Sequence, residues 1–140
     1  MTADSVRSLN EFARTKHPGL VGVELDSCDA DLVTGHMIVG EEVVAGNGMV
    51  WAPVIITLAD WLCAAGMSPN LEPGVGFTTV ELKTNFLGSA AAGELVTGRA
   101  TPVHKGRTTH VWDAVIRNET KGKTIALFRC TQMILYPRTT

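Results

Sequence analysis

The chain has 140 residues, 45% of them hydrophobic, and a formal net charge of −2, enough for one domain with a sizeable core. No repeat, low-complexity run or Pro/Ser linker divides it, so residues 1–140 are expected to form a single domain. A pI near 6.0, with no helix-turn-helix pattern and no aromatic ladder among the basic residues, argues against nucleic acid as a partner.

The small net charge conceals an uneven distribution. Residues 1–82 carry Arg7, Arg14 and Lys16 against eleven Asp and Glu, a balance of −8. Residues 83–140 carry nine Lys and Arg against three acids, a balance of +6. Such a gradient suits an anionic partner for the C-terminal half, and a small polyphosphate fits best. Cys28, Cys63 and Cys130 have neither CxxC nor zinc-finger spacing and read as reduced thiols in a cytoplasmic protein. No basic, then apolar, leader opens the sequence, so no signal peptide is expected.

In chain order, Ser5 to about His17 places Val6, Leu9, Phe12 and Ala13 on one helical face, and Pro18-Gly19 is expected to end that helix. Leu20–Asp26 and Leu32–Val39 alternate apolar and polar residues around a turn-like Ser27–Asp31, the pattern of a hairpin. Asn47-Gly48 marks a turn, Pro53 suits the first turn of a helix, and Gly66 is expected to close that helix. Four strand-like runs follow with no helix between them: Gly76–Leu87, Leu95–Val103, Thr108–Asn118 and Thr124–Tyr136. Their short connections suit antiparallel neighbours. The pattern is α+β, with one long central helix and about five or six antiparallel strands. The helix is apolar all round and must be wrapped, so a curved sheet enclosing it is expected, the architecture called a hotdog. Pro53 and Asp60 interrupt the segment too soon for a membrane span, and no membrane partner is expected.

Asp60 is the only charge between Asn47 and Gly66. Helical spacing surrounds it with Ile56, Thr57, Cys63 and Ala64. A dehydrated carboxylate is costly unless paired or protonated, so it is either a hydrogen-bond anchor or a catalytic acid. His17, His36, His104 and His110 show no HxxxH or HExxH spacing, so no metal or cofactor is expected. Cys63 has no histidine near it in sequence and reads as a small buried hydrophobe.

The run TLAD ending at Asp60, then VELKTNFLGSAAAGEL from Val80 and VHKGRTT from Val103, resembles the hotdog-fold acyl-CoA thioesterases. The resemblance is strongest to the phenylacetate-degradation and 4-hydroxybenzoyl-CoA types. It implies an acyl-CoA or aryl-CoA substrate, with Asp60 as the helix acid and the Ala52 N–H polarising the thioester carbonyl. It also implies a hydroxyl partner at Thr79 on the next strand, and active sites shared between protomers of a dimer or a dimer of dimers. Two family features are changed here. The usual His-Gly-Gly is Trp51-Ala52-Pro53, and the Asn or Gln fifteen residues before the acid falls on Ala45, with Asn47 two positions later.

Thioester hydrolysis needs a polarised carbonyl and an activated water or nucleophile. A helix N-terminus offers unpaired N–H groups and about half a positive charge to a developing oxyanion. Pro53 has no N–H, so Ala52, or Val54 beyond it, must serve, while Asp60 acts as general base or nucleophile. Seven helical residues separate Pro53 from Asp60, about 10 Å, too far for both to serve one carbonyl. The start of one protomer's helix and Asp60 of another could meet across a two-fold axis. Trp51 at the mouth could line an acyl or aryl pocket, Asn47 is a substrate-binding candidate, and Lys105 and Arg107 on a turn could meet CoA phosphates. Two other functions stay open: a hotdog dimer that binds acyl-CoA without turnover, and a hotdog dehydratase or hydratase, for which no histidine falls in the helix or its lead-in.

Overall fold

The computed structural model describes residues 2–138. Helices α1 (Ala3–Ala13), α2 (His17–Leu20) and α3 (Ala52–Met67) accompany six strands. These are β1 (Glu24–Cys28), β2 (Val33–Ile38), β3 (Gly76–Phe86), β4 (Leu95–Lys105), β5 (Thr109–Asn118) and β6 (Lys123–Leu135). They form one antiparallel sheet in the order β1-β2-β4-β5-β6-β3, curved around α3 as the alternating pattern predicts. Trp112, Ala114 and Ile116 of β5 and Ala126, Phe128 and Cys130 of β6 alternate inward and are buried, and Ile125 joins them in the core where the β5–β6 register shifts.

Helix α3 is seated by close contacts rather than by an apolar stripe. Gly35 and Gly98 are directly paired across β2 and β4, and the Leu62 side chain fills the space above them. A Cβ on either glycine would collide with Leu62. Gly66, one turn on, lies against the fully buried Trp112 ring, where a Cβ would overlap the indole. This close approach, not helix termination, explains Gly66. The helix continues to Met67 and passes into a 3-10 turn over Ser68–Asn70.

Three further expectations are corrected. The first helix ends at Ala13, before Pro18-Gly19, and Pro18 instead starts the single-turn α2. Gly19 is needed there because a Cβ would strike the Ala13 carbonyl. The expected strand from Leu20 begins only at Glu24, because α2 takes Leu20. On α3, Ile56, Thr57, Asp60, Trp61 and Ala64 are half-buried on the face turned toward α1 and α2. Ala52–Asn70 is also long and apolar enough to cross a membrane, at a mean hydropathy of 1.3, but here it is the core helix of the sheet.

The two edges of the sheet differ. Asn10 of α1 receives the Leu25 N–H at 2.8 Å and donates to the Leu25 carbonyl at 3.0 Å, covering part of β1. The eleven-residue β3 forms the other edge, and Val80, Leu82 and Phe86 on it are exposed.

Gly66→Ala should destabilise the protein by about 1–3 kcal/mol, because the buried indole has nowhere to retreat. Urea unfolding followed by fluorescence measures this. Unchanged stability would show that Trp112 does not fix the seating of α3.

Candidate active site

Seating Leu58, Leu62 and Gly66 on the sheet turns Asp60 to the opposite side of α3, about 200° around the helix from Leu58 and from Leu62. There it meets β3. The Thr79 hydroxyl lies 3.3 Å from Asp60 Oδ1 and 3.0 Å from Gln132 Oε1. Thr79 and Gln132 are directly paired across β3 and β6, and a bulge at Val80 follows at once. Such bulges re-aim side chains beside functional sites. Gln132 is fully buried, and its amide nitrogen donates to Cys130 Sγ at 3.4 Å. Burial pushes the Asp60 carboxyl above its usual range; the Thr79 hydroxyl pulls it back to the extent that its proton faces Asp60.

Trp51, Ala52 and Pro53 are exposed at the start of α3, with extended backbone at Trp51. The Val54 N–H donates to the Trp51 carbonyl at 2.9 Å and is spent. The Ala52 N–H precedes the helical ladder, and no loop carbonyl among the described residues accepts it, so it is the donor left at this end. Eight residues separate it from Asp60 of the same chain, about 12 Å. Asn47 sits in the exposed loop before the helix, and its side-chain oxygen accepts the Met49 N–H at 3.0 Å, closing a local turn.

Asp60 opens into a cleft of about 300 Å³ lined by His17, Pro18, Ile56, Thr57, Asp60, Trp61 and Ala64. Trp61 and Ala64 also line a second, mostly apolar cleft of about 650 Å³, together with Leu9, Phe12, Leu71, Val75 and Phe77. His17 was not legible as a site residue, since it lies outside the helix and its lead-in and reaches the cleft only by the packing of α2. Its Nε2 is 2.9 Å from Thr57 Oγ1. Thr57 gives its own proton to the Pro53 carbonyl at 2.9 Å, so the imidazole is the donor.

The cationic turn divides. Lys105 Nζ is 2.5 Å from Asp31 Oδ1 and also donates to the Ala30 carbonyl and Asn70 Oδ1, which ties β4 to the β1–β2 turn. Arg107 is exposed, and its carbonyl accepts the Tyr136 hydroxyl at 2.6 Å. Cys63 is fully buried; contact with the Cys130 thiol, and then burial, push its own thiol well above the usual range, which keeps it protonated. No group of metal-ligating side chains occurs among the described residues.

The six-stranded sheet around one long helix is the fold of the hotdog thioesterases. Residues 47–125 match the family described as the thioesterase superfamily, and the chain belongs to it. It is 32% identical over 111 residues to a 1,4-dihydroxy-2-naphthoyl-CoA hydrolase of Listeria monocytogenes, covering 79% of this chain and 89% of that one. Among solved structures it is similar to a thioesterase from Pseudomonas aeruginosa, with a TM-score of 0.86, 25% identity and 93% of each chain covered. A thioesterase from Haemophilus influenzae gives a TM-score of 0.85 at 26% identity, covering 93% of this chain and 90% of that one.

Burial raises the folded-state pKa of Asp60 above its unfolded value, so the ionised carboxylate costs stability at any pH above the folded value. The cost is gone below the ordinary carboxylate range, where both states hold the proton. Asp60→Asn should therefore unfold at the same or a higher temperature than wild type at pH 7–8, with any gain vanishing in acid. Thermal unfolding across pH measures this. A variant less stable at every pH would make Asp60 a structural anchor.

Proposed function

We propose that the chain hydrolyses acyl-CoA or aryl-CoA thioesters in the cytoplasm. Asp60 activates the attacking water or attacks the carbonyl itself, and the Ala52 N–H receives the developing oxyanion. The observation that carries this reading is a carboxylate with its proton affinity raised by burial, lining a cleft that shares Trp61 and Ala64 with a second, mostly apolar cleft. A core helix has no packing reason to hold a dehydrated acid there. The larger cleft, walled by Trp61, Phe12, Leu71 and Phe77, suits an apolar or aromatic acyl group. Trp51, where the family carries histidine, is exposed and lines neither cleft of its own chain, so in this reading it would meet an acyl group in a partner's site. Three free cysteines agree with a reducing compartment.

The active unit in this reading is a homodimer, or a dimer of dimers, with each site shared. Ala52 and Asp60 of one chain are too far apart to serve one carbonyl carbon. The uncovered β3 edge and the half-buried face of α3 lie side by side, which suits pairing with a second copy. Arg107 is the side chain of the cationic pair left to meet CoA phosphates, since Lys105 is committed to Asp31 and Asn70.

Asp60→Asn is expected to lower turnover of a panel of acyl-CoAs by at least about a hundredfold while CoA-thioester affinity changes little. Release of free thiol gives the rate. Unchanged turnover per folded molecule would contradict Asp60 as base or nucleophile. A wild-type protein that binds every acyl-CoA and hydrolyses none would leave the binding module standing.

A further inference from the structure

The Thr79 hydroxyl stands between two acceptors and has one proton to give. It is 3.0 Å from Gln132 Oε1 and 3.3 Å from Asp60 Oδ1, and neither a carboxylate nor an amide oxygen can return a hydrogen. The buried Gln132 amide is oriented by its other end, since Nε2 donates to Cys130 Sγ and leaves Oε1 facing Thr79. A fully buried amide oxygen without a donor is expensive, whereas Asp60, at a cleft, can recruit water. The shorter contact and the burial point the same way: the proton belongs to Gln132.

We propose that Gln132 is a positioning residue that draws the Thr79 hydroxyl proton away from Asp60, leaving the carboxylate facing a lone pair. This inference rests on the reading of Asp60 as the reacting carboxylate, in its general-base form. A carboxylate beside an oxygen lone pair is a stronger base than one that accepts a hydrogen bond. When Asp60 takes a proton from the attacking water, the hydroxide oxygen bonds to the carbonyl carbon. The new Asp60 O–H then has an acceptor ready at Thr79 Oγ1. Asp60 donates to Thr79, Thr79 donates to Gln132, and Gln132 donates to Cys130, so the chain of donors closes only after the transfer. The arrangement favours the protonated acid over the ionised one, which is the differential stabilisation that speeds the step. The proton stays on Asp60 until the leaving thiolate takes it.

The other titratable groups around Asp60 do not supply this effect. His17 of α2 lines the same cleft but spends its N–H on Thr57. Cys63 of α3 and Cys130 of β6 are buried thiols. His110 of β5, paired in register with Gln132, is buried, and burial lowers its pKa, so it is neutral near pH 7. The inner faces of β2 and β4 bring Val33, Gly35, Met37, Val96, Gly98 and Ala100, none of which titrates.

The direction of the Thr79 hydrogen bond separates this arrangement from a simple one in which Thr79 donates to Asp60. The test is a carbon-13 NMR titration of the Asp60 carboxyl in the whole protein, read beside the acid limb of kcat/KM. Gln132→Met keeps the bulk but removes the acceptor and frees the Thr79 proton for Asp60. The Asp60 titration, and the acid limb with it, should then move about one unit lower in pH. Thr79→Val removes donor and acceptor together and should leave the titration unmoved or lower. If Thr79 donates to Asp60 in the wild type, Thr79→Val raises it instead. An unmoved titration in Gln132→Met, or a rise of about one unit in Thr79→Val, overturns the proposal. Should Gln132→Met fail to fold, the sign of the Thr79→Val shift decides alone. Retained turnover in Asp60→Asn would defeat the reacting-carboxylate reading, and the NMR shifts would still report separately on Gln132.

Discussion

The close seating of α3 on the sheet governs everything else in this molecule. Leu62 fits over the paired Gly35 and Gly98, and Gly66 lies against Trp112, so the helix can neither roll nor rise without collision. That fixed roll sends Asp60 to the far side, opposite Thr79 on β3. Protein interiors are too densely packed to let such a helix drift. Stability is thus concentrated where Leu62 and Gly66 meet the sheet, and the costly acid sits on the opposite, half-buried face of α3, beside β3. A carboxylate with raised proton affinity, held by a rigid support, is the arrangement general-base chemistry requires.

The two sheet edges extend the argument from one chain to two. Asn10 pairs with the backbone of β1, while β3 is long, with apolar side chains exposed. Long bare edges invite pairing with another chain. The Ala52 N–H is exposed at the start of α3, two helical turns from its own Asp60. In our proposal the bare edge and the divided catalytic groups have one explanation, a second copy that supplies the missing half of each site.

Much of the fold was legible in the sequence because sheet periodicity is local. Four long strand-like runs without an intervening helix, after one apolar helix, leave few architectures, and the ends of those four strands agree to within about two residues, whereas β1 starts four residues after the expected Leu20. Asp60 stood out because a lone acid in such a helix has few explanations. Glycine was misread twice: Gly19 is set by close approach to the Ala13 carbonyl at the end of α1, and Gly66 by the Trp112 ring far along the chain, neither by helix termination. Gln132 and His17 were missed for a related reason. Their partners Thr79 and Thr57 lie 53 and 40 residues away, and only the β3–β6 register and the docking of α2 on α3 unite them. Lys105 had the right charge in the right turn, but its ion pair with Asp31 spans the hairpin and leaves no trace in sequence spacing.

Division of each site between two chains is the central claim, and mixed dimers test it most directly. Asp60→Asn removes the carboxylate, and Ala52→Pro removes the helix N–H at a position where proline fits. Each variant alone should be nearly inactive. Co-expressed in equal amounts, half of the dimers would carry one of each chain, and each such dimer would regain one intact site of two. Activity should then return to about a quarter of the wild-type level. If each site were built within one chain, no dimer would hold an intact site, and the mixture would stay as inactive as its parents.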